Sequence, residues 1–303
     1  MAKEGPVAKK GPVIKEDPVA GESPGADDEF RDRTVLITGG TRGIGAGIAR
    51  RFLLAGANVI VCGRRQPPRS VAAWERAATF IEADVREPAQ VDRLIAAAVE
   101  ATGRLDVVVN NAGGAPYAEA ATASPDFHQK IVTLNLIAPL HVSQRANQVM
   151  QRQDGGSIIM IGSVSGTRPS PGTAAYGAAK AGLHHLAASL AVEWAPKVRV
   201  NAVVAGPTET ERSALHYGDA TGVAAVAATI PLRRMATPDD VAEACLFLAS
   251  PRSAYMTGAS LLLHGGGEVP AFLAASNAQH TSAPTERAAA AARTEGARPG
   301  PES

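Results

Sequence analysis

Residues 34–45 read Thr34-Val35-Leu36-Ile37-Thr38-Gly39-Gly40-Thr41-Arg42-Gly43-Ile44-Gly45. The first five are apolar or β-branched, as in a short strand buried on both faces. A glycine-rich turn follows, and a helical pattern runs from Ile44 to Ala55. Glycines let a backbone turn tightly and approach an anion closely. The N–H groups and positive dipole end of the next helix then face that anion. Such a turn is a weak signal by itself. Between a strand and a helix it has the context that a pyrophosphate-binding turn requires.

The same alternation continues outward. Strands are expected at Asn58–Cys62, Thr79–Ala83, Leu105–Asn110, Ser157–Ile161, Val198–Val204 and Ser260–Leu263. Helices are expected at Pro88–Ala101, Pro125–Gln151, Thr173–Trp194 and Pro238–Leu248, with a short one at most over Val71–Ala77 after Pro67 and Pro68. Strands alternating with helices, several of them apolar throughout, imply an α/β fold: a Rossmann-like, doubly wound, parallel seven-stranded sheet in a single domain. Such a sheet places its ligand beyond the carboxyl ends of its strands.

Composition bounds the function. The 303 residues carry 30 Lys+Arg against 29 Asp+Glu, a net charge of +1, which speaks against a nucleic-acid binder acting through bulk charge. No run of about eighteen apolar residues suggests a membrane span. The first residues, MAKEGPVAKKGP, lack the apolar core of a secretory signal, so a cytoplasmic location is expected. Cys62 and Cys245 lie in apolar runs and read as reduced, buried thiols. No disulfide framework or cysteine-based metal site is expected.

The catalytic domain is expected over 30–274, between tails at 1–29 and 275–303. Pro6, Pro12, Pro18 and Pro24 recur every six residues, two turns of a polyproline II helix. A solvated tail is the simpler reading of this segment, and a docking peptide the sharper one. The C-terminal segment is rich in Ala, Pro, Arg and Glu, with a fraying helix conceivable at Glu286–Arg293.

The turn has the spacing TGxxxGxG, and here the chain resembles the short-chain dehydrogenase/reductase family, classical type. Asn110-Asn111-Ala112-Gly113 ends the fourth strand as the family's NNAG, and Ser163, Tyr176 and Lys180 match its Ser…YxxxK set. Asn135 matches the asparagine of the preceding long helix, and Asp84 the acidic residue that contacts adenine. The resemblance implies a nicotinamide cofactor held by Gly39, Thr41, Arg42, Gly43, Ile44, Gly45, Arg64, Asp84, Val85, Asn111, Ala112, Gly113, Tyr176, Lys180, Gly206, Thr208 and Thr210. It also implies a homotetramer, a ribose contact for Lys180 and a proton-relay water held by Asn135.

Tyr176 and Lys180 are four residues apart and share a helix face. A free tyrosine has a pKa of about 10. A nearby ammonium would lower it and suit proton exchange with an alcohol or ketone. Ser163, at a strand end, could hydrogen-bond the substrate oxygen. The reaction implied is hydride transfer between nicotinamide and a carbonyl or alcohol carbon.

An acidic residue at the end of the second strand would bind the ribose diol of NAD and repel the 2′-phosphate of NADP. Gly63 stands there, Arg64 follows, and Arg42 lies in the glycine turn. Two guanidinium groups could meet on one phosphate, so NADP(H) is expected, with NAD(H) possible.

The segment 208–231 corresponds to the family's variable substrate loop. It holds His216, Tyr217 and the small-residue run Ala220–Ala228. Tyr117 and Thr167–Pro171 are other expected pocket edges, and His184 and His185 are expected in packing or at an interface. Ala205-Gly206-Pro207 replaces the usual Pro-Gly, His264-Gly265-Gly266 the usual Asp-Gly-Gly, and Gly162 stands where a serine is frequent. The leading expectation is an NADPH-dependent ketoreductase acting on a small-molecule ketone of 3-oxoacyl, steroid-like or polyketide-like type. An NAD-dependent secondary-alcohol dehydrogenase and a nucleotide-sensing protein without catalysis are the alternatives. Retention of both Tyr176 and Lys180 weighs against the last.

Overall fold

The computed structural model describes residues 29–271 and Ala275. The expected tails at 1–29 and 275–303 lie outside the described residues, apart from Glu29 and Ala275. One compact unit reaches Gly267 and holds the whole sheet; Glu268–Ser303 form a second unit.

The sheet strands are β1 (Thr34–Thr38), β2 (Asn58–Gly63), β3 (Thr79–Glu82), β4 (Val107–Asn110), β5 (Gly156–Ser163), β6 (Val198–Ala205) and β7 (Ser260–Leu263). All pair in parallel, in the order β3-β2-β1-β4-β5-β6-β7. The helices are α1 (Gly43–Leu54), α2 (Pro88–Thr102), α3 (Pro125–Val132), α4 (Ala138–Met150), α5 (Ala174–Trp194), α6 (Ala214–Tyr217), α7 (Ala220–Thr229) and α8 (Pro238–Ala249).

Side-chain alternation along β1 explains the layers. Val35 and Ile37 join one core with Ile48 and Phe52 of α1 and Val241 and Leu248 of α8. Leu36 joins the other, with Leu94 of α2, Val142 of α4 and Leu183 of α5. A strand buried on both faces must be apolar at every position, as TVLIT nearly is. The strand order reverses between β1 and β4, which opens the ligand crevice at their carboxyl ends.

Two expectations are corrected. Val71–Ala77 is not helical: Ala72–Ala73 and Arg76–Ala77 pair as a small antiparallel hairpin turning at Trp74, whose φ is 52°. The hairpin brings the Arg76 guanidinium to the carbonyls of Gly56 and Ala57, at 2.7 and 3.0 Å. The helix expected over Pro125–Gln151 is interrupted by a wider π turn at Thr133–Ile137. Pro139 has no N–H, and its ring would clash with the carbonyl of Asn135 in a regular α-helix. The wider turn relieves that clash, with Ala138 N donating to Thr133 O.

Candidate active site

The expected site residues lie at strand ends, in loops beyond them, or on the start of α1 or α5, except Asn135, which sits in the π turn between α3 and α4. Thr38 ties the two strands that flank the crevice. Its hydroxyl accepts from the N–H groups of Asn111 and Ala112, both at 3.0 Å, and donates to Val109 O at 3.4 Å. The Asn111 carboxamide donates to Thr38 O and Gly39 O. Asn111 therefore fixes the glycine turn against β4, while Ala112 packs beside Gly39.

Gly43 has a φ of 51°, which a glycine adopts without strain, and opens α1. Its N–H donates to the carboxylate of Glu211 at 3.1 Å. The turn thus already holds an anion from its own chain, which is the chemistry a pyrophosphate needs there. Thr210 lies beside Gly43, with its methyl 3.6 Å from where a Cβ would stand. Its hydroxyl accepts from Arg212 N, and that of Thr208 donates to Gly206 O. Glu211 was not foreseen; nothing in its spacing distinguishes it from other loop carboxylates.

At the adenosine end, Arg42 precedes α1 and Arg64 follows β2, both exposed. Among the described residues neither guanidinium has a hydrogen bond or an ion pair. The charge of Arg64 does reach Asp84. Asp84 is gripped by Arg86 through Nε and Nη2, and this hydrogen bonding holds its carboxyl below the usual range. Val85 is buried beside it. No acidic side chain stands at Gly63, where a Cβ would have ordinary contacts, 3.7 Å from Phe80 and Thr41.

The expected catalytic groups Ser163, Tyr176 and Lys180 lie between β5 and α5. Lys180 is buried and its Nζ donates to Ile161 O at 2.8 Å. Burial pushes its pKa down to about 8. The same Nζ lies 5.6 Å from the centre of the Tyr176 ring. The Ser163 side chain lies close enough to Tyr176 to act on its phenol, and Ser163 Oγ accepts from Ser165 N at 3.1 Å. The expected lowering of the tyrosine pKa is not found in the free protein. Burial raises it, the Ser163 side chain opposes the rise, and the phenol of Tyr217 adds to it. The physical reason is desolvation of the phenolate, and Lys180 is not among the groups that lower it.

Asn135 sits fully buried in the π turn. Its Oδ1 accepts from Gly114 N at 2.8 Å, and its Nδ2 donates to Gly114 O and Ile131 O. The carboxamide is thus engaged by backbone groups. A Cβ on Gly113 would stand 2.7 Å from Asn135 Oδ1 and 3.3 Å from Lys180 Nζ. Glycine at the end of NNAG is therefore a packing requirement set by Asn135 and Lys180.

Of the expected pocket edges, Tyr117 meets Gly172, the residue that follows the 167–171 segment. Tyr117 lies over Gly172, where a Cβ would be 2.0 Å from the ring, and Ala118 N donates to Gly172 O. Tyr217 of α6 lies near enough to Tyr176 to raise its pKa. His184 is not merely a packing residue: its Nε2 accepts from Ser163 N at 3.3 Å. Both cysteines are buried and free, with Cys62 pushed up to about 12 by desolvation. No described helix is long and apolar enough to cross a membrane.

Comparison with known proteins agrees with this geometry. A family model described as enoyl-(acyl carrier protein) reductase matches residues 39–268. The chain is 35% identical over 247 residues to 3beta-hydroxysteroid dehydrogenase 1 of Eggerthella lenta, covering 79% of this chain and 95% of that protein. It is also 35% identical over 246 residues to L-rhamnose 1-dehydrogenase (NAD(P)(+)) of Azotobacter vinelandii, covering 78% and 96%. Among solved structures, the aldohexose dehydrogenase of Thermoplasma acidophilum superposes with a TM-score of 0.74 at 31% identity, over 80% of this chain and 96% of that one. The chain belongs to the short-chain dehydrogenase/reductase family, as a nicotinamide-dependent oxidoreductase acting on alcohols or ketones.

Proposed function

We propose that this enzyme is an NADPH-dependent reductase of apolar cyclic ketones. The observation that carries the cofactor preference is the pair of exposed guanidinium groups, Arg42 and Arg64, beside a second strand that ends in glycine. Arg86, Arg33 and Arg104 are bound to carboxylates, whereas Arg42 and Arg64 have none among the described residues. Guanidinium forks suit a 2′-phosphate.

The bound nicotinamide supplies the hydride. The glycine turn and the start of α1 receive the pyrophosphate, and Lys180 receives the nicotinamide ribose. Ser163 Oγ hydrogen-bonds the substrate oxygen and polarises the carbonyl. Tyr176 gives its proton to that oxygen as negative charge develops on it. The Lys180 ammonium then stabilises the phenolate left behind. Asn135 holds Gly114, and with it the wall beneath Lys180. The high resting pKa of Tyr176 keeps the phenol protonated at neutral pH, as reduction requires.

Tyr117 and Leu215 are exposed apolar side chains, and α7 is an exposed run of small, mostly apolar residues, which supports an apolar substrate. The 3beta-hydroxysteroid dehydrogenase among the relatives supports a ring-containing substrate. Exposed Val192, Tyr255 and Leu262 support assembly into a homotetramer, which light scattering tests. The reading is tested by steady-state reduction of a panel of cyclic, open-chain 3-oxoacyl and sugar substrates with NADPH and NADH. The expected result is turnover of a cyclic ketone with NADPH favoured at least tenfold. Turnover confined to sugars, or with NADH favoured, would overturn it.

A further inference from the structure

The geometry points to His184 as a positioning residue that clamps the backbone of Ser163 through a neutral imidazole. Tyr176, Lys180 and His184 recur every four residues and form one row along α5. Each reaches the end of β5. Tyr176 lies beside the Ser163 side chain, Lys180 Nζ donates to Ile161 O at 2.8 Å, and His184 Nε2 accepts from Ser163 N at 3.3 Å. The row thus follows the end of β5, and His184 is the member that holds the backbone of Ser163.

The chain makes room for the imidazole on both sides of Ser163. A Cβ at Gly162 would stand 2.3 Å from His184 Nε2, and one at Gly166 would stand 2.8 Å from Cε1. A serine at position 162 could not coexist with the imidazole where it lies. Gly162, a departure from the family's frequent serine, and His184 are two halves of one arrangement. Accepting from an N–H requires an unprotonated Nε2, with the ring hydrogen on Nδ1. Burial, and next the charge of Lys180, both hold the imidazole in its neutral form. This device acts through Ser163 and touches no reacting atom.

The test is a set of variants assayed for kcat, KM and dinucleotide affinity. His184→Ala removes the acceptor, and we expect kcat to fall at least tenfold with dinucleotide affinity within twofold of the parent. His184→Gln offers an amide oxygen in its place and should recover a large part of kcat. Gly162→Ala, which drives the imidazole away, should lose kcat as His184→Ala does, and the double variant should be no worse than either alone. A kcat within twofold of the parent for His184→Ala would overturn the clamp, as would equal losses for the Ala and Gln variants or additive losses in the double variant. The inference rests on the catalytic reading of Ser163 and Tyr176, so Tyr176→Phe is run beside it. A Tyr176→Phe enzyme that still turns over would refute that reading. An inactive Tyr176→Phe with an intact His184→Ala would refute the clamp alone.

Discussion

Replacing Gly63 by aspartate should shift the cofactor preference from NADPH towards NADH. Gly63 closes β2 beside Thr41 of the glycine turn. An added Cβ there meets its nearest atoms at 3.7 Å, which is ordinary contact, so the strand accepts the side chain without moving. The new carboxylate stands next to Arg64 and faces the place where a 2′-phosphate would lie. Two unit charges in contact interact by about 1 kcal/mol in water and about 4 kcal/mol at the effective dielectric of a protein surface. A phosphate monoester carries nearly two charges at neutral pH, so even the water limit gives a penalty of about 2 kcal/mol, or about thirtyfold in affinity. A hydrogen bond from the ribose diol to the carboxylate adds about 1.5 kcal/mol for NADH, roughly tenfold. The NADPH-to-NADH affinity ratio should therefore fall by about 300-fold in all. Fluorescence titration of parent and variant with both dinucleotides at one fixed ionic strength measures it. NADPH affinity within threefold of the parent would show that the end of β2 does not read the 2′-position.

Three further outcomes follow from the site. The Lys180 ammonium, with its pKa near 8, is progressively lost as pH rises, so the dissociation constant for dinucleotide should climb above about pH 8, by at most tenfold per pH unit. A constant flat to pH 9.5 in calorimetric titrations would contradict that role. Dinucleotide must displace Glu211 from Gly43 N–H, so Glu211→Gln should bind it roughly two- to fivefold more tightly; weaker binding would show that Glu211 helps to hold the cofactor. Gly113→Ala forces a methyl against Asn135 and Lys180, which should cost about 1–3 kcal/mol of stability. Thermal unfolding reads this as a Tm several degrees lower, and an unchanged Tm would mean the loop has slack.

The strands were legible because a strand covered on both faces leaves few positions for a polar residue; TVLIT, apolar between two threonines, shows this plainly. That Ser163, Tyr176 and Lys180 come together was legible because a tyrosine and a lysine four apart share a helix face, and that helix follows the strand that ends in the serine. The hairpin at 72–77 was not legible. Its Ala-rich composition favours helix, and the contacts that override it come from Gly56 and Ala57, distant in sequence. The break in the long helix did carry a signal in Pro139, whose ring conflicts with the carbonyl of Asn135. The link between Gly162 and His184 was invisible because twenty-one residues separate Ser163 from its acceptor. Only the packing of α5 on β5 brings them together.

The central claim is that Tyr176 delivers the proton to the substrate oxygen. The most direct measurement is ketone turnover by Tyr176→Phe alongside its affinity for dinucleotide. The account predicts that turnover falls by at least a thousandfold while affinity stays within a few-fold, because the ring remains and only the phenol oxygen is gone. Turnover close to that of the parent, with the fold and dinucleotide binding intact, would contradict it.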